Sequence, residues 1–335
     1  MDIASAPGQE TQARSRSIEV IAAPSNLGLR PPSPGHEPGA WRAPEALLSA
    51  GLASRLVPGK LVELPRPPYE FEMQPGTRIR NGVTIREHAL TLADEVEAAL
   101  SAARFPLVLG GDCSILLGCL VGARRGGRCG LVHVDGHIDF FHPGNYDTWS
   151  RLGSAAGMDL ALATGRGELL LTDWPLVGMP LVPDKDVIQV GDREAEGPPD
   201  AGSSDWTLEP SIAQLTVQEV LRLGVAEACE RVIEHGERRG LGRVWLHVDL
   251  DVLDEGVMPA VDSPGAPGLD FSQLADLISR LVGTGRILGL DVTIYDPELD
   301  QRGEFLPGIV DCLVSGLAPL RTPSVSAANA KEETT

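Results

Sequence analysis

The chain has 335 residues, of which 42% are hydrophobic, and this size and composition are typical of one large or two smaller globular domains. The formal net charge of −19, without a cluster of lysine and arginine, excludes nucleic acid as a natural partner, because the phosphate backbone would be repelled. No apolar run of membrane-spanning length and no basic-then-apolar leader is present, so we expect a soluble cytoplasmic protein with no membrane partner.

The two ends of the chain differ in composition from the rest. Residues 1–16 and 323–335 are polar, small and aperiodic, and we expect disordered tails on either side of a domain at residues 17–322. The first predicted strand is Ser17–Ala23, and Pro24–Gly39 is a Gly/Pro-rich loop that no helical pattern fits. Loops of this length are usually functional or mobile.

Regular structure is predicted from Pro44 onward. A short helix runs through Leu52 and a strand lies near Lys60 to Leu64. A long amphipathic helix is predicted over Thr84–Ala103, with the apolar face Leu90, Ala93, Val96 and Leu100.

Apolar strands then alternate with helices to the end of the chain. The predicted strands are Pro106–Leu109, Cys129–Val134, Val187–Val190, Val244–Asp249 and Ile287–Thr293. The predicted helices are Ile115–Arg124, Val217–Arg238, Phe271–Leu281 and Gly308–Leu320. This alternation predicts an α/β fold with a parallel sheet covered on both faces, and the absence of a repeat or linker favours a single domain.

Polar motifs follow three of these strands. They are Gly110–Ser114 (Gly-Gly-Asp-Cys-Ser), Asp135–Asp139 (Asp-Gly-His-Ile-Asp) and Asp249–Asp251 (Asp-Leu-Asp). Ligands gather at the carboxyl ends of parallel strands, so we expect these residues to share one rim of the sheet. Carboxylates spaced by one residue leave the same face of a strand and repel each other unless a cation neutralises them. Metal ligation explains the pattern, although N-caps or turn carboxylates are an alternative for each aspartate.

In combination the motifs resemble those of the arginase/agmatinase (ureohydrolase) family, over about Ile18 to Leu320. The signatures of that family are Gly-Gly-Asp-His-Ser, Asp-Ala-His-x-Asp and Asp-x-Asp-x-x-Asp-Pro before a Pro/Gly-rich loop. Here the third segment is Asp249–Pro259, followed by Pro264–Leu269. The resemblance implies an arginase-like single domain with a parallel sheet of about eight strands.

The resemblance also implies two Mn²⁺ ions that activate a bridging water or hydroxide for attack on a guanidinium carbon. Transferred position by position, Asp135 and Asp249 would bridge the ions, and His137 and Asp251 would complete one of them. Asp139 would serve the other ion and the catalytic step. Oxygen-rich ligation with imidazole suits Mn²⁺, and two cations lower the pKa of a shared water.

Cys113 departs from this pattern, because the family has a histidine ligand at its position. A thiolate ligand would shift the preference toward Zn²⁺ or Fe²⁺, whereas the alternative is a small buried thiol in a turn. A second departure is Ala156, which stands where related enzymes have a proton-shuttle histidine. His142 could replace that shuttle, or could simply be solvated.

The third departure is Ile294, at the position of a glutamate that holds the substrate guanidinium in the family. Asp296 could take over this role, or the substrate is not a simple guanidinium. The loop Phe140–Pro143 also lacks the asparagine that grips the amino acid in arginases. We therefore expect a substrate other than free L-arginine.

Several residues keep two interpretations. His133 and His247 precede ligand aspartates by two residues and would orient those carboxylates or be core histidines. Asp192–Glu194 could line the substrate mouth or form a surface turn. The remaining cysteines, Cys119, Cys129, Cys229 and Cys312, are predicted core residues with reduced thiols.

The sequence thus predicts a metal-dependent hydrolase of a C–N bond in a small guanidine, amidine or amide. The alternative is a ureohydrolase-like protein that binds metal but has lost catalysis and acts as a binding or regulatory module. By resemblance the protein would form a homo-oligomer, a trimer or a hexamer.

Overall fold

A computed structural model describes residues 16–147, 151–194 and 211–321. These residues form one eight-stranded, entirely parallel sheet in the order β2-β1-β3-β8-β7-β4-β5-β6. The strands are β1 Ile18–Ala23, β2 Lys60–Glu63, β3 Phe105–Gly110, β4 Gly130–Val134, β5 Val187–Val190, β6 Ala213–Leu215, β7 Val244–Asp249 and β8 Ile287–Thr293. The predicted α/β class is confirmed.

Eleven helices lie in the described residues. They are α1 Ala43–Ser49, α2 Leu52–Leu56, α3 Gly82–Ser101, α4 Ile115–Arg125, α5 Asp159–Ala163, α6 Leu169–Thr172, α7 Val217–Leu223, α8 Val225–Arg238, α9 Phe271–Gly283, α10 Leu306–Gly316 and α11 Ala318–Arg321. None of the helices described here combines the length and apolar character that a membrane span requires.

The sheet separates two apolar layers. Alternate strand residues such as Leu107 and Val108 of β3 enter opposite layers, as the two-residue period of a strand requires. One layer contains the buried residues of α3 to α6, and the other contains those of α1, α2 and α7 to α11. Because both faces are covered, most strand residues are buried and apolar, whereas the edge strand β2 is largely exposed.

Helix α3 buries a different stripe from the predicted one. Ala93 and Val96 are buried as expected, but Leu90 and Leu100 are only partly buried, and Ala89 is buried instead. The contact is shifted because glycines of α4 allow close approach: a Cβ at Gly118 would lie 2.7 Å from the Ala89 carbonyl oxygen. Backbone proximity, rather than the largest side chains, sets this face.

Other predicted elements were wrong in part. The helix predicted over Val217–Arg238 is broken at Gly224, whose φ of 83° and ψ of 151° cannot continue a helix. The last helix begins at Leu306, with a proline in its first turn, and is interrupted at Leu317. The edge strand β6 and the short helices α5 and α6 had no predicted counterpart.

The predicted terminal tails lie outside the described residues, apart from Arg16. Arg16 belongs to the folded part, because its guanidinium donates to the Ile287 and Leu288 carbonyl oxygens and lies 5.0 Å from the Phe105 ring centroid. The domain boundaries at residues 17 and 322 otherwise stay a prediction.

Candidate metal centre

The three polar motifs meet at the carboxyl ends of β3, β7 and β4. A cavity of about 450 Å³ opens there, and its lining includes Cys113, His137, Asp139, Asp249 and Asp251. Asp135 is fully buried at the end of β4. The structure therefore brings together the residues that the sequence predicted as one set.

Their ligand atoms are close enough to share cations. Carboxylate oxygens of Asp135, Asp249 and Asp251 lie within 4.8 Å of one another, and so do ligand atoms of Asp135, His137 and Asp139. The Nδ1 atom of His137 is 2.8 Å from Asp251 Oδ2. Asp135 therefore belongs to both groups of candidate ligands.

Backbone amides hold one oxygen of each central carboxylate. His137 N donates to Asp135 Oδ1 at 2.6 Å, Asp251 N to Asp249 Oδ1 at 2.7 Å, and Gly136 N to Asp251 Oδ1 at 2.9 Å. Asp249 also caps the 3-10 turn Leu250–Val252, so the turn interpretation is correct for one of its oxygens. Of the second oxygens, Asp135 Oδ2 has no hydrogen-bond partner, whereas Asp251 Oδ2 is paired with His137 Nδ1 and Asp249 Oδ2 accepts from the Cys113 thiol.

Burial and mutual repulsion disfavour the charged forms of these carboxylates. Desolvation and then the charge of Asp139 raise the pKa of Asp135 well above its ordinary value. Desolvation and the charge of Asp251 raise the pKa of Asp249 to about 8. Asp251 differs, because although burial opposes ionisation, His137 and Arg193 lower its pKa. Asp135 and Asp249 therefore have too few positive neighbours to be ionised together.

Divalent cations fit this set of residues. The buried Oδ2 atom of Asp135 has no hydrogen-bond partner, although such an atom is costly to leave unpaired. Oxygen-rich ligation with one imidazole suits a hard cation such as Mn²⁺. A cation would supply both the missing partner and the missing positive charge.

Asp112 ties the long loop after β1 to this site. Its carboxylate accepts hydrogen bonds from Ser25 Oγ at 2.6 Å, from Gly28 N at 3.1 Å and from Ser114 N at 2.9 Å. Because Asp112 and Cys113 are adjacent, the loop and the cavity floor are fixed together. Gly111 permits this contact, since a Cβ there would lie 1.6 Å from the Ser25 carbonyl oxygen.

We expect Gly111→Ala to lower the free energy of unfolding by about 2–4 kcal/mol, because two backbone segments must separate to accept the methyl group. Gly236→Ala is a matched control on helix α8, where an added Cβ meets nothing within 4 Å. That control should gain about 0.5–1 kcal/mol from helix propensity. Urea unfolding of the metal-free proteins measures both values, and equal midpoints for Gly111→Ala and wild type would contradict the prediction.

The other predicted site residues occupy different places. Ala156 and Ile294 line the cavity, as side chains of its wall. Asp296 lies in an adjoining cavity of about 710 Å³, and its two carboxylate oxygens accept hydrogen bonds from Gly39 N and Glu298 N.

His142 is not among the residues that line the central cavity. Its ring stands edge-to-face against the ring of Phe140. The neighbouring Phe141 lines the central cavity instead, after a left-handed residue at Asp139, whose φ is 42°.

Ile294 has an unusual backbone conformation. Its φ of 75° is disfavoured for a β-branched residue, and its amide donates to the Gly111 carbonyl oxygen at 2.6 Å. The side chain lines both the central and the adjoining cavity. It is therefore placed between the cavity floor and the long loop.

Residues that sequence patterns did not identify complete the cavity wall. Arg30 donates to the Tyr146 hydroxyl at 2.9 Å, and both residues line the cavity with Asp262. They lie on loops without a motif, so only the fold brings them to the site.

The segment Asp192–Glu194, which was predicted to line the substrate mouth or form a surface turn, is divided between two roles. Only Glu194 lines the cavity. Asp192 accepts a hydrogen bond from Gln214 at 2.8 Å, and Arg193 donates to the Leu253 carbonyl oxygen at 3.3 Å.

Comparisons with known proteins agree with this arrangement. The family model described as Arginase family matches residues 17–307. Arginase from Bacillus caldovelox is 30% identical over 298 residues, which cover 86% of this chain and 94% of that protein.

Solved structures show the same fold. The crystal structure of arginase from Bacillus subtilis superposes with a TM-score of 0.75 at 25% identity, and covers 90% of this chain and 98% of its own. The formimidoylglutamase of Bacillus subtilis, at 18% identity, has a TM-score of 0.69 over 93% of this chain and 89% of its own, which supports the fold alone.

Proposed function

The chain belongs to the arginase family, whose enzymes hydrolyse C–N bonds of guanidines and amidines, and from this premise we propose a substrate for its own cavity. The substrate is a small guanidine, amidine or amide whose reacting carbon lies above the floor formed by Asp139, Asp249 and Asp251. The observation that supports this proposal is the convergence of carboxylates, an imidazole and a thiol on the floor of one cavity.

We propose that the floor holds two divalent cations. Asp135 and Asp249 would be shared between them, His137 and Asp251 would complete one, and Asp139 and Cys113 would serve the other. When bound, the pair supplies a water of lowered pKa and a Lewis acid for the substrate. Mn²⁺ suits the oxygen ligands, whereas the Cys113 thiolate favours Zn²⁺ or Fe²⁺ on its side.

The residues of the chain then divide the remaining tasks. Asp139 lies at the floor and lines the cavity, so we assign it the proton that the nucleophile releases. His142 is a weaker candidate, because it is outside the cavity lining. Glu194 and Asp262 on the upper wall would attract a cationic substrate, and Arg30 would bind an anionic group.

L-arginine is not the substrate that this wall favours. Ile294 offers no carboxylate to a guanidinium at its position, and Ala156 offers no proton donor. Asn145 is used within its own loop, since it accepts from His142 N at 2.8 Å and donates to the Phe140 carbonyl oxygen at 3.0 Å. A substrate with a less basic or a substituted C–N centre fits these walls better.

We also propose that the protein works in the cytoplasm as a homo-oligomer, a trimer or a hexamer. Membership of the family supports this assembly. Sedimentation of the purified chain would measure the subunit number.

Incubation of the metal-loaded protein with a panel of guanidines, amidines and amides tests the proposed function. We expect release of urea or ammonia that depends on added metal, with at least one compound turned over about tenfold better than L-arginine. The matched control is the chelated protein on the same panel. No turnover with Mn²⁺, Fe²⁺, Zn²⁺ or Co²⁺ would contradict the proposal and favour a metal-binding protein without catalysis, for which the apolar Ala156 and Ile294 are the motivation.

A further inference from the structure

A second row of polar side chains lies one step deeper in the sheet than Asp135 and Asp249. His133 and His247 are paired in register on β4 and β7, and their rings stack with centroids 4.8 Å apart. Asp159, the first residue of α5, lies against both rings. All three residues have 0% exposed surface, and the proposed function uses none of them.

The hydrogen bonding of His247 leaves one ring nitrogen with a lone pair. Its Nδ1 atom is 2.6 Å from Asp291 Oδ2, and the other Asp291 oxygen accepts from the Trp245 indole at 2.5 Å. A carboxylate held in this way takes the Nδ1–H of the imidazole, so that Nε2 is free to bind a cation. Histidine ligands of metals characteristically donate their second N–H to a carboxylate.

The Nε2 atom of His247 faces another buried acceptor. Asp159 Oδ2 lies 3.6 Å from it, and neither atom has a hydrogen-bond partner. Two acceptors that face each other away from water are costly unless a proton or a cation lies between them. The Oδ1 atom of Asp159 is directed to His133 Nε2 at 3.2 Å, which fixes the carboxylate.

The thiol of Cys113 completes this group. Its Sγ atom, an Asp159 carboxylate oxygen and a His247 ring nitrogen lie within 4.8 Å of one another. The same Sγ atom is 2.6 Å from Asp249 Oδ2, so the group borders the upper carboxylates. In a tetrahedral zinc site, metal bonds are about 2.3 Å to sulfur and about 2.0–2.2 Å to nitrogen and oxygen, so the ligand atoms are about 3.3–3.6 Å apart. The distance of 3.6 Å between His247 Nε2 and Asp159 Oδ2 agrees with this separation.

We propose that Cys113 Sγ, His247 Nε2 and an Asp159 oxygen form a deep site for a borderline-soft cation such as Zn²⁺, with Asp249 shared with the upper ion. This inference extends the proposed function by relocating one of its two cations. The imidazole that the family supplies at position 113 would come from β7 instead, and the two ions would differ in kind. Mixed sulfur, nitrogen and oxygen ligation selects Zn²⁺, Fe²⁺ or Co²⁺ over Mn²⁺.

The competing explanation is a proton in place of the cation. Burial opposes protonation of His247, but Asp291 raises its pKa to about 9, so an imidazolium between Asp159 and Asp291 also satisfies the geometry. Ionisation of Cys113 distinguishes the cation from the proton. A bound cation would stabilise the Cys113 thiolate, whereas a proton on His247 would leave Cys113 as a neutral thiol. Burial and the charge of Asp249 raise the pKa of the Cys113 thiol well above its ordinary range.

Titration of the chelated full-length protein with Co²⁺ tests the deep site. We expect a near-ultraviolet thiolate-to-cobalt absorption band that saturates at one equivalent and is lost in Cys113→Ser. His247→Gln and Asp159→Asn should each weaken binding of that equivalent by about 100-fold or more. The matched controls, Cys312→Ser and His235→Gln, replace residues on helices α10 and α8 and should bind as wild type does.

X-ray absorption of the wild type loaded with one equivalent of Zn²⁺ does not depend on the folding of any variant. One sulfur at about 2.3 Å with nitrogen and oxygen neighbours is the expected result. Absence of both the sulfur scatterer and the cobalt band would overturn the deep site. A band without any C–N hydrolysis would support the deep site and contradict the proposed function, whereas hydrolysis without the band would contradict the deep site alone.

Discussion

Asp249→Ala is expected to lower kcat/KM by about a thousandfold or more and to weaken binding of both cations. The reason is the central position of this carboxylate: Oδ2 meets Cys113, and an oxygen of Asp249 lies within 4.8 Å of ligand atoms of Asp135 and Asp251. Metal analysis after dialysis and urea or ammonia release on the best substrate of the panel measure the two effects.

Two further variants make this result specific. Asp249→Asn keeps the shape of the side chain and should lose activity similarly, because the charge is what the cations need. Asp173→Asn removes the same charge from an exposed position and should behave as wild type. If Asp249→Ala bound two equivalents and turned over substrate at the wild-type rate, the assigned role would be wrong.

Chelation is expected to make the stability of the protein fall as pH rises from about 4 to about 8. In an unfolded chain an aspartate ionises near pH ~3.9, whereas burial and Asp251 raise the folded pKa of Asp249 to about 8. Below pH ~3.9 both states are protonated, and above it only the unfolded state loses the proton. Stability is therefore lost as pH rises toward the folded pKa.

His137 contributes in the same direction. Burial opposes its protonation, but Asp251 raises its pKa to about 9, so its stabilising effect is complete below an unfolded pKa of ~6.5 and is lost above it. Bound cations remove the repulsion and add roughly 2.7 kcal/mol at a hundredfold excess over Kd.

Urea unfolding at several pH values, with and without chelator, measures the difference between the two forms. We expect the gap in unfolding free energy to widen by several kcal/mol between pH 5 and 8. The control is chelated Asp249→Asn, in which the slope with pH should be smaller. Parallel pH profiles for loaded and chelated wild type would show that loss of the metal does not raise the pKa values of the carboxylates, and would contradict the prediction.

The parts of the site that could be predicted from the sequence are the residues at the ends of the apolar strands. Asp249 ends the apolar strand β7, Asp135 directly follows β4, and Asp251 lies in the 3-10 turn after β7. The parallel strands bring all three to one edge of the sheet, although the two-residue period of a strand does not extend to Asp251. The positions of the strand ends alone do not determine which side chains of other elements pack against them. The roles of His133 and His247 therefore stayed open, because they depend on Asp159, which begins a five-residue helix with no sequence signature.

Two candidate residues, His142 and Asp296, lie outside the lining of the central cavity despite their short sequence distance from residues that line it. His142 is three residues from Asp139, yet it is not among the residues that line the central cavity, although its neighbour Phe141 is. Asp296 is two residues from Ile294, yet it is engaged with the amide of Gly39 on the long loop. Turns with positive φ and loop contacts are set by tertiary structure, and residue spacing carries little information about them.

The backbone conformation of Ile294 has a consequence for how this enzyme could change over evolutionary time. An isoleucine at a φ of 75° carries strain of about 1–2 kcal/mol, because its Cβ crowds the backbone, and asparagine or aspartate tolerates this conformation better. Replacement of Ile294 by asparagine or aspartate would therefore offset part of the cost of losing a buried apolar side chain, and would place a polar group at the boundary of both cavities. New substrate preferences are accessible at this position by a single substitution that the fold tolerates.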